Sequence, residues 1–285
     1  MKRAETCGPV AIQGHAGSFS EAAARAYFTP ETQLAPQPHF KALFAAVEDG
    51  SCACGVVPIE NSLMGSIHEN YDLLLQSAVH IVGEIKLRIV HNLIVNRGVQ
   101  LADIRYIASQ PPALAQCTRF IHSLADAQTI ATDDTAGAVK ELAASGARDR
   151  GAIAGARAAA AYGMEILVPG IEDAPHNFTR FLVVSCRAEP APVEPAKTTL
   201  VFGLKHVPGA LCRSLAAFAE RGINLLKIES RPMPERPWEY VFYLDLEGHL
   251  EQAACAQAVE QLRETTEFVR ILGSHQQGDT VEDSE

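Results

Sequence analysis

Four polar segments in the first two thirds of the chain carry residue types suited to anion binding and proton transfer. Gly14-His15-Ala16-Gly17-Ser18-Phe19-Ser20-Glu21 joins an apolar run to an alanine-rich one. Small residues let backbone N–H groups approach a ligand. A helix opening here, with Ser18 and Glu21 at capping-box spacing, favours an anion at its N-terminus. A purely structural cap fits the same residues. Pro58-Ile59-Glu60-Asn61-Ser62 places a polar triplet at the carboxyl end of an apolar strand, where open α/β sheets bind ligands. An asparagine turn with a capping serine is the other reading. Asn177-Phe178-Thr179-Arg180-Phe181 leads into a strand, and a guanidinium such as Arg180 can fork onto a carboxylate. Ser109-Gln110-Pro111-Pro112 turns into a helix from which Ser109 and Gln116 can reach a cleft, although serine before a proline-started helix is also ordinary structure.

A fifth pair of segments lies near the C-terminus: Pro208-Gly209-Ala210-Leu211, opening a helix, and Glu229-Ser230-Arg231-Pro232, ending the strand that follows Asn224. Gly209 and Ala210 allow close approach by another backbone or a small ligand. None of these segments contains a Ser–His–Asp set, a metal-ligand spacing, a P-loop or a GxGxxG fingerprint, so no metal site is expected and a nicotinamide enzyme is disfavoured. The seven cysteines are odd in number and follow no framework spacing, which reads as buried reduced thiols.

The elements that must position these residues fall into two blocks. Ala188–Lys197 reads AEPAPVEPAK; proline resists both helix and central strand, so a stiff extended linker is expected over 188–197. Before it, short apolar strands alternate with alanine-rich helices, the pattern of open α/β sheets, and about ten strands in that length suggest two small lobes. After it, the order β-α-β-β-α-β is the ferredoxin-like plan. Leu211, Leu215 and Phe218 recur at helical spacing, and Tyr240, Phe242, Leu244 and Leu246 alternate as a half-buried strand should.

The 285 residues are 47% hydrophobic and 20% charged, enough for a sizeable core without disulfides. No run approaches the ~18 apolar residues of a membrane helix, and the start has too short an apolar stretch for a signal peptide. A cytoplasmic protein without membrane association is expected. The balance of 24 basic against 34 acidic residues, net −10, argues against a nucleic-acid partner. Four of those acids (Asp279, Glu282, Asp283 and Glu285) lie in the last seven residues, so 276–285 reads as an acidic disordered tail.

Taken together, the segments resemble one family, the prephenate dehydratases, in the single-function form with a C-terminal ACT regulatory domain. GHAGSFSEAA is similar to the family's GxxGTFSE loop. VVPIENSLMGSIHENYDLL is similar to PIENSxxGxVxxxxDLL, and IEDAPHNFTRFLVV to the segment ending in NxTRF. GALCRSLAAFAERGINLLKIESRP resembles the GAL…ESRP signature of the phenylalanine-responsive ACT domain. The resemblance implies a two-lobed catalytic domain like a type II periplasmic binding protein over 8–187 and an ACT domain over 198–275. It also implies conversion of prephenate to phenylpyruvate, CO2 and water in phenylalanine synthesis, with feedback by L-phenylalanine at ACT–ACT interfaces of a homodimer or homotetramer. Two departures stand out. The family often has Ser-His-Pro-Gln where this chain has Ser109-Gln110-Pro111-Pro112, and Leu226 stands where threonine is common.

On that resemblance Thr179 matches the family's essential threonine and is expected to be catalytic, orienting or relaying a proton to the leaving hydroxyl. Glu60 is the nearest matched carboxyl and the expected proton source, with a structural hydrogen bond as the alternative. Ser18, Phe19, Asn61, Ser109, Gln116 and Arg180 are the expected substrate contacts, Arg180 having a protein carboxylate as its alternative partner. Gly209, Ala210, Leu211, Asn224, Glu229, Ser230, Arg231 and Pro232 are the expected phenylalanine contacts. Aromatisation drives the reaction, so no cofactor is expected. The carboxylate that leaves as CO2 loses its charge, so a weakly polar slot should hold it. An arogenate dehydratase performs the same elimination, and a non-catalytic amino-acid sensor could share the architecture.

Overall fold

The computed structural model describes residues 8–124, 127–188, 194–233 and 236–282. It divides into two compact units, one of 8–67 and 85–181 with 280–282, the other of 68–84 and 182–279.

The first unit holds most of two α/β lobes, whose residues 68–84 and 182–185 fall in the second. The chain enters through β1 (Val10–Gln13), α1 (Phe19–Tyr27), β2 (Leu34–Gln37), α2 (Phe40–Glu48), β3 (Cys54–Asn61) and the short β4 (Gly65–Ser66), followed by α3 (His68–Gln76) and β5 (His80–Arg88). It continues through β6 (Asn92–Val95), β7 (Tyr106–Ser109), α4 (Pro111–Ala115), α5 (Thr118–Ser123), β8 (Gln128–Ala131), α6 (Thr135–Ser145), β9 (Arg150–Ala154), α7 (Ala156–Tyr162) and β10 (Glu165–Val168), then β11 (Phe178–Ser185). The first sheet runs β2-β1-β3-β11-β5 and the second β8-β7-β9-β6-β10. In both, the first strand of the lobe lies between its second and third, and a strand from outside that run, β11 or β6, follows the third. This is the two-lobed periplasmic-binding-protein-like arrangement expected from the sequence.

Why these segments form these elements is plain from their packing. Val10, Ala11 and Ile12 are fully buried, as are Val56, Val57 and Ile59 beside them on β3. Each large aliphatic side chain so buried contributes about 1.5–3 kcal/mol. The sequence gives no strand signal for β2, which contains Pro36. It is an edge strand, where proline's missing N–H costs no ladder bond. The segment PALAQCTRFI (112–121), expected as one helix, is broken at Gln116–Cys117 into α4 and α5.

The second unit contains β12 (Ala196–Gly203), α8 (Ala210–Ala219), β13 (Leu225–Met233), β14 (Arg236–Glu247), α9 (Ala253–Thr265) and β15 (Phe268–Gln276). Their sheet order β13-β14-β12-β15 realises the βαββαβ plan. Leu200, Phe202, Phe218, Leu244, Leu246 and Leu262 are fully buried in one cluster under α8 and α9. Helix α3, early in the sequence, belongs to this unit. Arg231 pairs with Asp72, the Tyr243 hydroxyl donates to Tyr71 O at 2.7 Å, and Arg270 donates to Leu75 O at 2.6 Å.

Two expected boundaries change. The linker does not reach 197: Ala196 and Lys197 are buried residues of β12, and Lys197 is held there by two hydrogen bonds to Glu84. Residues 189–193 lie outside those described. The region after 275 is not a uniformly disordered tail. Gln276 ends β15, and a last strand, β16 (Thr280–Val281), pairs in parallel with Lys86 and Leu87 of β5. Backbone pairing is indifferent to the acidic side chains on either side, which is why charge counting misses it. Residues 283–285 lie outside those described.

Candidate active site

Loops at the carboxyl ends of β1, β3 and β7 open into a cavity of about 400 Å³. This is the side on which open α/β sheets bind ligands. Its lining includes Ser18, Phe19, Asn61, Gln110, Gln116, Asp134, Thr135 and Thr179, with an apolar side of Phe40, Ile67, Ile89, Ala113 and Phe181.

The Gly14–Glu21 loop reaches this cavity because of a glycine. Gly17 has φ +81°, and a Cβ there would sit 2.4 Å from Ala158 Cα, so the loop lies flat against α7 only without a side chain. Ser18 then caps α1, its hydroxyl accepting from Glu21 N–H at 3.3 Å. The expected capping box closes differently: Glu21 Oε2 accepts from Gly17 N–H at 2.8 Å, not from the cap residue. Phe19 meets the His91 ring edge-on at 5.7 Å.

Asn61 is the centre of the polar network. Its amide nitrogen lies 2.8 Å from Asn177 Oδ1, 3.1 Å from Thr179 Oγ1 and 3.2 Å from Phe178 O, sharing two hydrogens among three acceptors. Its Oδ1 accepts from the N–H groups of Leu63 and Met64, both at 2.9 Å, and from Gln116 Nε2 at 3.3 Å. Gln116 Oε1 in turn accepts from Asn177 Nδ2 at 2.9 Å and from His91 Nε2 at 2.8 Å. His91 therefore carries its proton on Nε2. Burial holds its pKa below the ordinary imidazole value, which favours the neutral ring, and its buried Nδ1 has no hydrogen-bond partner among the described residues. Asn61 donates into Thr179 Oγ1, which leaves the threonine hydroxyl hydrogen to point elsewhere, and Thr179 lines the cavity.

Ser18, Phe19, Asn61, Gln116 and Thr179 are thus brought to one cavity. Three other expected site residues are not. Side chains alternate along β11, so Arg180 leaves the face opposite to Thr179 and Phe181. There its Nε lies 3.5 Å from Glu60 Oε2, and neither residue lines the cavity. The alternatives held open for both, a protein carboxylate for Arg180 and a structural partner for Glu60, are what the geometry contains. Ser109 is fully buried and donates to Ile153 O at 2.7 Å, which ties β7 to β9 and removes it from the cleft. Conversely, Gln110, one of the family departures, lines the cavity.

Sequence reasoning did not single out His91 or Asp134, and it named Asn177 only as the start of the NFTRF segment, without a role. A histidine just before an apolar strand and an aspartate before an alanine-rich helix are the only signals for the first two, and both are common structural features. Asp134 caps α6, with Oδ1 accepting from Gly137 N–H at 2.6 Å and Oδ2 2.8 Å from His15 Nδ1. Cys117 is buried, which pushes its thiol up to about 12 and leaves it protonated and unreactive.

The second unit carries a smaller hollow of about 150 Å³ lined by Lys205, His206, Ala210, Leu211, Glu239, Tyr240 and Phe242, among others. Gly209, at φ +76°, opens α8 beside it. In the antiparallel register Ser230 faces Phe242 and Pro232 faces Tyr240, so these two expected effector residues share the hollow's side of the sheet. Glu229 and Arg231 alternate to the other side of the sheet, where Glu229 lies 3.2 Å from His68 Nε2 and Arg231 is bound to Asp72. Asn224 accepts Glu247 N–H through its backbone carbonyl before β13 and does not line the hollow.

The prephenate dehydratase family pattern matches residues 10–189, and the ACT domain pattern matches residues 198–264. An Arabidopsis thaliana protein, arogenate dehydratase/prephenate dehydratase 2, chloroplastic, is 42% identical over 280 residues, spanning 93% of this chain and 72% of that one. A prephenate dehydratase from Arthrobacter aurescens, solved in complex with L-Phe, superposes with a TM-score of 0.87 at 31% identity, covering 94% of this chain and 89% of the other. The structure of GqqA, described as a novel type of quorum-quenching acylase, superposes with a TM-score of 0.86 at 35% identity, covering 94% and 97%. The cytoplasmic expectation does not survive: the Arabidopsis relative is a chloroplast protein by name. The composition of folded domains carries no compartment address, which is why it misled.

Proposed function

We propose that this chain, which belongs to the prephenate dehydratase family, catalyses the decarboxylative dehydration of a prephenate-type ring acid and is regulated by L-phenylalanine through its ACT domain. The observation that carries the reading is Thr179 Oγ1 at the cavity, accepting from Asn61 Nδ2 at 3.1 Å. The ring loses one carboxylate as CO2 and the hydroxyl on the opposite carbon as water. The C–O bond breaks with its electron pair, one proton drawn from solvent turns the leaving oxygen into water, and the electron pair of the breaking C–C bond completes the aromatic ring. Thr179, with its acceptor side occupied by Asn61, is a fixed donor toward that oxygen. A hydrogen bond made only in the transition state is worth roughly 10²–10³ in rate.

The apolar side formed by Phe40, Ile67, Ile89 and Phe181 suits the ring and the departing carboxylate, whose charge disappears during reaction. The side-chain carboxylate falls to local donors: the Ser18 hydroxyl and the N–H groups that open α1, where no preceding turn supplies acceptors. Neutral His91, Gln116 and Asn177 lock the Asn61 amide and thereby the threonine. The role of proton source, expected of Glu60, has no matching geometry at the cavity.

Phenylalanine regulation is supported by the hollow beside Gly209–Leu211, with Ser230 and Pro232 on the same side. Val207, Ile228, Trp238 and Tyr240 are large apolar side chains exposed on this unit, and among the described residues β13 is an edge strand of its sheet. A second ACT module covering them is the simplest account, in a homodimer or homotetramer. The test supplies purified protein with prephenate or with arogenate and follows phenylpyruvate or phenylalanine, with and without added phenylalanine. Turnover of neither substrate overturns the catalytic reading. Turnover indifferent to phenylalanine overturns the regulatory one.

A further inference from the structure

The cavity holds a carboxylate but no lysine or arginine among its described lining residues. The carboxylate is Asp134. Its side chain is 14% exposed, and of its four lone-pair sites one is taken by Gly137 N–H and one by His15. Capping α6 does not require the charge, since asparagine and serine cap as well as aspartate. A pocket whose described lining has a carboxylate and no lysine or arginine is a poor host for a substrate whose only charges are negative. Even with His15 on one side of Asp134, two substrate carboxylates brought near its other side are repelled by it.

Asp134 stands beside the end of the cavity that offers donors. A Cβ on Gly14 would lie 3.8 Å from Ser18 Oγ and 3.9 Å from Asp134 Cγ, so the α1 cap and the carboxylate converge on the same glycine. Donors for a carboxylate beside an acceptor for an ammonium are the two halves of an α-amino-acid site. The two substrates compatible with the dehydratase reading differ at this group alone: prephenate ends in a keto acid, arogenate in an amino acid.

Resting on that reading, we infer that Asp134 is a specificity-determining residue that receives the ammonium of arogenate, so that the amino-acid form of the ring acid is the preferred substrate. The Ser18 hydroxyl and the first N–H groups of α1 take the adjacent carboxylate, and His15 holds the Asp134 side chain from the other side. Gln110, where the family often has an imidazole-bearing motif, adds no charge.

The test compares kcat/KM for arogenate and prephenate in the full-length protein and in Asp134→Asn, which keeps the cap and removes the charge, with Asp134→Ser as a second capping variant. The wild type should favour arogenate by roughly tenfold or more, and the arogenate-to-prephenate ratio should fall by roughly tenfold or more in the variants, mostly through KM for arogenate. Circular dichroism identifies which variant is folded and therefore which ratio is read. A wild-type preference for prephenate, or an unchanged ratio in a folded variant that turns over both substrates, overturns the inference and leaves the dehydratase reading standing. Failure of the wild type on both substrates overturns the dehydratase reading itself.

Discussion

Arg231 grips Asp72 through two hydrogen bonds, Nε to Oδ1 at 3.2 Å and Nη2 to Oδ2 at 2.7 Å. The first residue lies in the motif expected to bind phenylalanine, the second in the helix that follows the β3–β4 hairpin. The Asp72 hydrogen bonds raise the already high pKa of Arg231, so the guanidinium stays charged under all ordinary conditions. The pair is partly exposed, at 21% and 35%, which screens it. A double-mutant cycle of Arg231→Gln and Asp72→Asn, read by urea denaturation, should give a coupling of about 1 kcal/mol. Strictly additive single effects would show that the two groups share no energy.

Thr179→Val keeps the shape of the side chain and removes the hydroxyl. The variant should fold normally and lose roughly 10²–10³ in kcat with little change in KM, because the lost contact belongs to the transition state. Steady-state kinetics on the preferred substrate checks this. A kcat close to that of the wild type would remove Thr179 from the chemistry.

Glu60 and Arg180 test the opposite expectation. Their side chains meet each other away from the cavity at 3.5 Å. Glu60→Gln should therefore retain kcat within about tenfold of the wild type, far above the Thr179→Val level. A loss as deep as that of Thr179→Val would return the proton-source role to Glu60.

Much of this was legible from residue order. The βαββαβ plan followed from element order alone, whereas Asn61, Gln116 and Thr179 were selected by their match to the family's motifs, spacing alone leaving structural readings open for each segment. What stayed illegible was direction. A TRF triplet does not say which of its side chains faces the cleft; that follows from the neighbours of β11, which put Thr179 and Phe181 on one side and Arg180 on the other. Asp72 looked like an ordinary helical acid because its partner is 159 residues away. The placement of α3 with the ACT sheet depends on such distant pairs. Short edge strands such as β2 and β16 carry too few apolar residues to announce themselves.

The Glu84–Lys197 pair is a second long-range contact, and a buried one. Lys197 Nζ donates to both carboxylate oxygens at 2.7 and 2.8 Å, and Gly278 N–H adds a bond of 3.1 Å to Oε1. Removing one member strands the other charge in the interior, so Lys197→Met should cost about 3–5 kcal/mol. Replacing both, as Glu84→Leu with Lys197→Met, should recover most of that loss, because the desolvation penalty goes with the charges. Guanidinium unfolding of the three variants measures it. Equal instability of the single and double variants would show that packing, not charge, sets the cost.

His91 makes the fold sensitive to acid. Burial lowers its pKa in the folded protein below the ordinary imidazole value of about 6.5, so the unfolded chain binds a proton more readily than the folded one. Between the two values stability therefore rises with pH. The contribution is complete above the unfolded value and is lost as pH falls toward the lowered folded one, at no more than about 1.4 kcal/mol per pH unit. His275 is buried with a pKa lowered in the same direction, so it adds a parallel loss. His91→Gln removes one of the two titrations and retains a donor for Gln116. Its Tm should decline less steeply than that of the wild type as the pH is lowered below about 6.5. Parallel Tm curves for the two proteins would mean that folding leaves the His91 pKa unshifted, which its burial and its single donation to Gln116 Oε1 argue against.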